Sequence, residues 1–143
     1  MDHKGREANK KLRSCNLDEL KEKLIRLYFE IGGFFDDYKS IDVIKSDKKI
    51  MCVYNNRYKR KKINFSNEKW NEFVCKIFEN NIHKWKETYY DYDILDGTQW
   101  NLEMEFNGLT NFDSHGSNKC PKNWKKFMEI IVEYFPKMIF LQD

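Results

Sequence analysis

Two stretches of this chain carry bulky apolar residues at the spacing of a helix face, and a third alternates them at the spacing of a strand. Trp70, Phe73, Val74, Ile77 and Phe78 fall at i, i+3, i+4, i+7 and i+8, so one helical face is apolar and the other charged. Ser66 suits the N-cap, and Phe65 before it is placed to staple onto Trp70. Trp124, Phe127, Met128, Ile131, Val132 and Phe135 repeat the spacing, with Pro121 suited to the first helical position and Pro136 closing the helix. Trp100, Leu102, Met104 and Phe106 alternate with Gln99, Asn101, Glu103 and Glu105, which marks a strand with one dry and one wet face.

The remaining segments fit around these three. Asn107-Gly108 favours a tight turn, with a return strand from Leu109 to Ser114. A two-residue loop sets Phe112 opposite Glu103 on the wet face; a three-residue loop sets it opposite Met104, which the apolar pattern favours. Ile41–Lys45 and Ile50–Tyr54 read as strands joined by a polar turn. Residues 17–31 match both periods: a capping box at Asn16 and Glu19 supports a short helix over Leu17–Lys23, followed by a strand ending at Gly32-Gly33. The expected fold is α+β, a two-layer antiparallel sheet with two amphipathic helices on one face and a possible strand-strand-helix duplication. Residues 1–15 are expected to be a disordered basic tail, and 16–143 a single α+β domain.

Composition narrows function by exclusion. With 143 residues, 11 Phe, 8 Tyr and 4 Trp, the chain has material for one core and little room for a second domain. Its 26 basic and 23 acidic residues are interspersed, and a net charge of +3 does not announce a nucleic-acid or membrane partner. The polar start, Met1 to Arg13, lacks the apolar centre of an export signal, so a cytoplasmic location is expected. Cys15, Cys52, Cys75 and Cys120 lie far apart, with only His3, His83 and His115 to supplement them; zinc spacing is absent, and free thiols are expected. No motif for a cofactor, metal or nucleophile elbow occurs, so neither a cofactor nor a metal is expected.

Three segments taken together resemble a known family. Gly32-Gly33-Phe34-Phe35-Asp36-Asp37-Tyr38, then Trp85-x-x-x-Tyr89 leading to Asp96-Gly97-Thr98-Gln99-Trp100, then Gly116-Ser117-Asn118-x-x-Pro121-x-Asn123-Trp124, are similar to a family of small uncharacterised proteins from low-GC Gram-positive bacteria and their mobile elements. The likeness spans Ile25 to Phe135 and implies one compact domain, with no catalytic residue to carry over. Cys120 stands where that family has an aromatic residue before the proline, which argues against a shared thiol chemistry. Read physically, the signatures mark turns and core positions: Asp96-Gly97 as a turn, Trp100 facing inward, and Gly116 and Asn118 in left-handed conformations before Pro121.

Candidate sites are few. Cys120 near His115 is the one local nucleophile pair, but no third orienting group accompanies it. Asp91, Asp93 and Asp96 lack the spacing of a calcium loop and read as solvated acids. Arg57, Tyr58, Lys59, Arg60, Lys61 and Lys62 form a basic, aromatic patch suited to nucleic acid, or to the defence of an exposed strand edge. Phe34, Phe35, Asp36, Asp37 and Tyr38, with Tyr89, Tyr90, Asp91 and Asp93, combine aromatic anchors and charge as a protein interface does, although Phe34 and Phe35 equally suit a core. The expectation is a non-catalytic protein-binding module of the immunity or phage anti-defence inhibitor type, with nucleic-acid binding or an enzyme of unknown class as alternatives.

Overall fold

The computed structural model describes residues 3–33, 38–56, 58–91 and 97–136, with the backbone alone for 3–7. Its elements are α1 (His3–Arg13), α2 (Leu17–Lys23), β1 (Leu24–Gly33), β2 (Lys39–Lys45), β3 (Ile50–Asn56), β4 (Arg60–Phe65), α3 (Asn67–Glu79), β5 (Thr88–Tyr90), β6 (Thr98–Phe106), β7 (Phe112–Ser117) and α4 (Trp124–Tyr134). A 3-10 turn, Ile82–Lys84, links α3 to β5. The fold is α+β. Its seven strands form one sheet in the order β4-β3-β2-β1-β6-β7-β5, antiparallel except for β5 beside β7.

Period-two alternation decides which side chains form the core. Phe29 lies opposite both Ile41 and Leu102, Leu27 opposite Val43 and Met104, and Tyr54 opposite Ile41, so the large apolar residues of β1, β2, β3 and β6 share a face. The helices bring their own rings to these residues. Phe127 of α4 meets Phe29 edge-on at 4.9 Å, Phe135 stacks on Phe65 at 5.1 Å, and Phe78 of α3 lies 6.0 Å from Phe106. Local signals start the helices as expected: Asn16 and Ser66 accept from the backbone N–H three residues on, at 2.7 and 3.1 Å.

Several expectations are corrected. Residues 3–13 form a helix where composition predicted a disordered tail. Asn9 and Leu12, i and i+3, are each 1% exposed; Asn9 exchanges two hydrogen bonds with the backbone of Asp113, and Leu12 enters the core. Two well-placed residues thus anchor a segment that is polar on average. The run 60–65, where the sequence marks no strand, is one, and its three leading cations sit at the sheet edge that the alternative reading of the basic patch expects. Phe112 lies opposite Met104, as the apolar pattern favours, but β7 begins only there and continues to Ser117. In α4, Pro121 precedes the helix rather than opening it. The buried stripe is Phe127, Ile130, Ile131 and Tyr134, leaving Val132 36% exposed. The two strand-helix units also differ: a four-strand meander precedes α3, whereas a two-strand hairpin precedes α4.

Candidate functional site

The three signature segments meet at one end of the sheet, and their described residues hold the fold there. Trp85, Trp100 and Trp124 form a mutual cluster with centroid separations of 5.6, 5.9 and 4.9 Å. Trp85 Nε1 donates to Asn123 Oδ1 at 2.7 Å, Asn123 Nδ2 donates to Asn80 O at 2.8 Å, and Trp100 Nε1 donates to Lys119 O at 3.0 Å. A side chain on Gly33 would reach within 2.8 Å of Gly97 O, and one on Gly116 would run into Trp100 Nε1. Gly116 is therefore needed for space and not for a left-handed backbone; Asn118 is the left-handed residue, at φ 63°.

The face of the sheet opposite the core carries mostly polar side chains. Ladder pairing sets Lys62, Val53, Asp42, Tyr28, Glu103 and Asp113 in one row across six strands, with Arg60, Asn55, Ser40, Glu30, Asn101, His115 and Thr88 beside it. Arg26 clamps Asp42 with two hydrogen bonds, at 2.8 and 2.9 Å, and reaches Glu105 at 3.5 Å. Tyr28 donates to Glu30 Oε2 at 2.7 Å; burial, then this bond, push its hydroxyl up to about 12. These pairs fix the middle of the face. Ile44 (43% exposed) pairs with Met51 toward one end.

At the other end stand two residues expected at an interface. Tyr38, 46% exposed, lies over Gly32, where an added Cβ would come within 2.7 Å of its ring. Gly32 pairs with Gln99, Gln99 with Ser117, and Ser117 with Tyr90, which is 41% exposed and lies 5.9 Å from the His115 ring. Tyr38 and Tyr90 thus occupy one outer row, three strand spacings or roughly 14 Å apart. Tyr89 alternates to the inner side and packs on Trp100 at 5.8 Å, so it belongs to the aromatic cluster. Asp91 continues the β5 edge, its N–H bonded to Ser117 O. Phe34, Phe35, Asp36, Asp37 and Asp93 lie outside the described residues, as does Arg57 of the basic patch.

The other candidates separate. Tyr58, at 73% exposure, lies in the β3–β4 connection with Lys59, and Arg60, Lys61 and Lys62 stand exposed along β4. Cys120 is exposed, yet partial desolvation raises its thiol above the ordinary value, the reverse of what a nucleophile needs. His115 instead faces the outer sheet surface, its Nδ1 4.0 Å from Asp113. All four cysteines are unpaired, and among the described residues no group of three metal-ligating side chains gathers. A cleft of about 710 Å³, which the sequence did not disclose, opens beside β5 between Lys86, Tyr89 and Tyr90 on one side and Lys119, Cys120 and Lys122 on the other. No described helix is long and apolar enough to cross a membrane. Comparison with family models, curated proteins and solved structures finds no match to this chain.

Proposed function

We propose that the protein is a non-catalytic protein-binding module of the cytoplasm, acting as small immunity proteins, antitoxins or phage-encoded inhibitors of host defence do. One observation carries the reading: the outer sheet face sets Tyr38 and Tyr90 in one row beside a middle stiffened by the Arg26–Asp42 and Tyr28–Glu30 pairs. Two rigid aromatic anchors beside fixed charges are what a specific interface uses, since aromatic residues bring large contact area at small entropic cost. Glu30, Glu103, Glu105 and Asp113 face outward around a single arginine on the central strands, which favours a partner with a basic surface. The family resemblance belongs to the same proposal.

The test is affinity capture from the native host, or from phage-infected cells, with wild type and a Tyr38→Ala/Tyr90→Ala double variant. A stoichiometric protein recovered only by wild type supports the reading, provided both proteins have the same far-UV spectrum. Equal recovery by both rejects the face.

A second reading, nucleic-acid binding, rests on the run of exposed cations from Lys59 to Lys62. Their place on the edge strand β4 also explains them as protection of an unpaired edge. Binding that weakens with salt, and again when Lys61 and Lys62 become Gln, favours nucleic acid.

A further inference from the structure

The cleft beside β5 borders the outer face at Thr88 and Tyr90 and has its own chemistry. Among the described residues its lining includes Lys86, Lys119 and Lys122 and no carboxylate. None of the three lysines has an ion-pair partner among the described residues, whereas Lys21, Lys23, Arg26 and Lys76 are all paired. Three ammonium groups around one concavity, with no carboxylate partner among the described residues, set up a positive potential that favours an anion.

The walls are held in place. Trp85 is tied to Asn123 at 2.7 Å, Trp100 to Lys119 O at 3.0 Å, and Tyr89 Oη accepts from the Lys86 backbone N–H at 2.9 Å. Each lysine therefore lies on or next to a segment pinned by an aromatic side chain, so a ligand need not reorder the backbone that carries the cations. Tyr89 and Tyr90 add aromatic surface to the same lining. The volume, about 710 Å³, is in the range that holds a small organic ligand.

We propose that this cleft binds a nucleoside phosphate, with the phosphates held by Lys86, Lys119 and Lys122 and the base against Tyr89 and Tyr90. Lysine meets phosphate as a point charge and needs no planar match, while a flat heteroaromatic ring stacks on tyrosine; a carboxylate metabolite would use only the first of these features. The cleft shares Tyr90 with the outer face proposed for a protein partner, whereas its three lysines belong to the cleft alone.

Isothermal titration calorimetry of the full chain with ADP, adenosine and pyrophosphate tests this. ADP is expected to bind one to one, with adenosine and pyrophosphate each weaker by about tenfold or more, because each supplies half of the contacts. Lys86→Gln/Lys119→Gln/Lys122→Gln is expected to weaken ADP by at least about tenfold, and Lys61→Gln/Lys62→Gln to leave it unchanged. Because all three cleft lysines are exposed, the triple variant should fold; the single Lys119→Gln variant gives the same comparison if it does not. Absence of ADP binding at about 1 mM, or ADP binding unaltered in these cleft variants, overturns the proposal. A single-stranded oligoadenylate separates a free nucleotide from a nucleic-acid strand: if it alone binds and depends on Lys61 and Lys62, the phosphate chemistry belongs to β4 and the cleft assignment fails.

Discussion

Asn123 Oδ1 accepts the indole proton of Trp85 at 2.7 Å while its own amide donates to Asn80 O at 2.8 Å, so one side chain ties the entry of α4 to the exit of α3 and to the strand that follows. Asn123→Ala removes both bonds and leaves a buried indole N–H without its partner. The expected loss is about 2–4 kcal/mol, read from the urea midpoint. A midpoint equal to wild type would mean that this bridge does not hold the two helices together.

Gly116 and Gly108 should respond differently to alanine. At Gly116 the new methyl group meets Trp100 Nε1 and lies 2.6 Å from Lys119 O, both pinned by their mutual hydrogen bond. A destabilisation of about 2 kcal/mol or more is expected. Gly108 has φ 76° and nothing within 4 Å of its added Cβ, so only backbone strain opposes the change, at about 1 kcal/mol. Thermal melts of the two variants give the comparison, and an equal shift would remove steric crowding as the reason for Gly116.

Much of this architecture was legible because one periodicity dominated locally. α3, β6, and the switch from α2 to β1 follow from spacing and a capping asparagine or serine. What stayed hidden depends on distant partners. α1 is held by Asn9 on Asp113, 104 residues away, and by the burial of Leu12, so its polar composition misleads. β4 shows no apolar period because its leading cations are an edge strand's exposed side chains, so the sequence offers them only as a basic patch or the defence of a strand edge. β5 has three residues, too few to show a period, and is defined by its parallel neighbour β7. Of the candidate site, the individual tyrosines could be picked out, but that Tyr90 shares a row with Tyr38 while Tyr89 turns inward follows only from sheet register. The lysine cleft joins positions more than thirty residues apart and has no local signature.

If α1 is a working part of the fold, Leu12→Ala should cost about 2–4 kcal/mol, since the side chain is 1% exposed within the core cluster. Denaturant titration is the check. A change under about 0.5 kcal/mol is the surface-residue result and would return the segment to the status of a tail.

His83 provides a pH test. The ring is 1% exposed beside Phe78, and desolvation, reinforced by Lys84 and Arg13, lowers its pKa from 6.5 to about 4. The unfolded chain binds this proton at higher pH than the folded one. Stability is therefore full above about 6.5 and lost as pH falls toward 4, by up to roughly 3 kcal/mol from this group. In His83→Leu the slope of stability against pH over that window should flatten. An unchanged slope would assign acid sensitivity to other groups.

The claim that the outer sheet face binds a protein is tested most directly by site-specific photocrosslinking in the native host. A photoreactive phenylalanine analogue at position 90 or 38 is compared with one at position 58, the 73% exposed tyrosine of the β3–β4 connection. The account predicts a discrete protein adduct, the same one, from positions 38 and 90 and none from position 58. Adducts at position 58 alone, or nucleic acid as the sole crosslinked species, would contradict it.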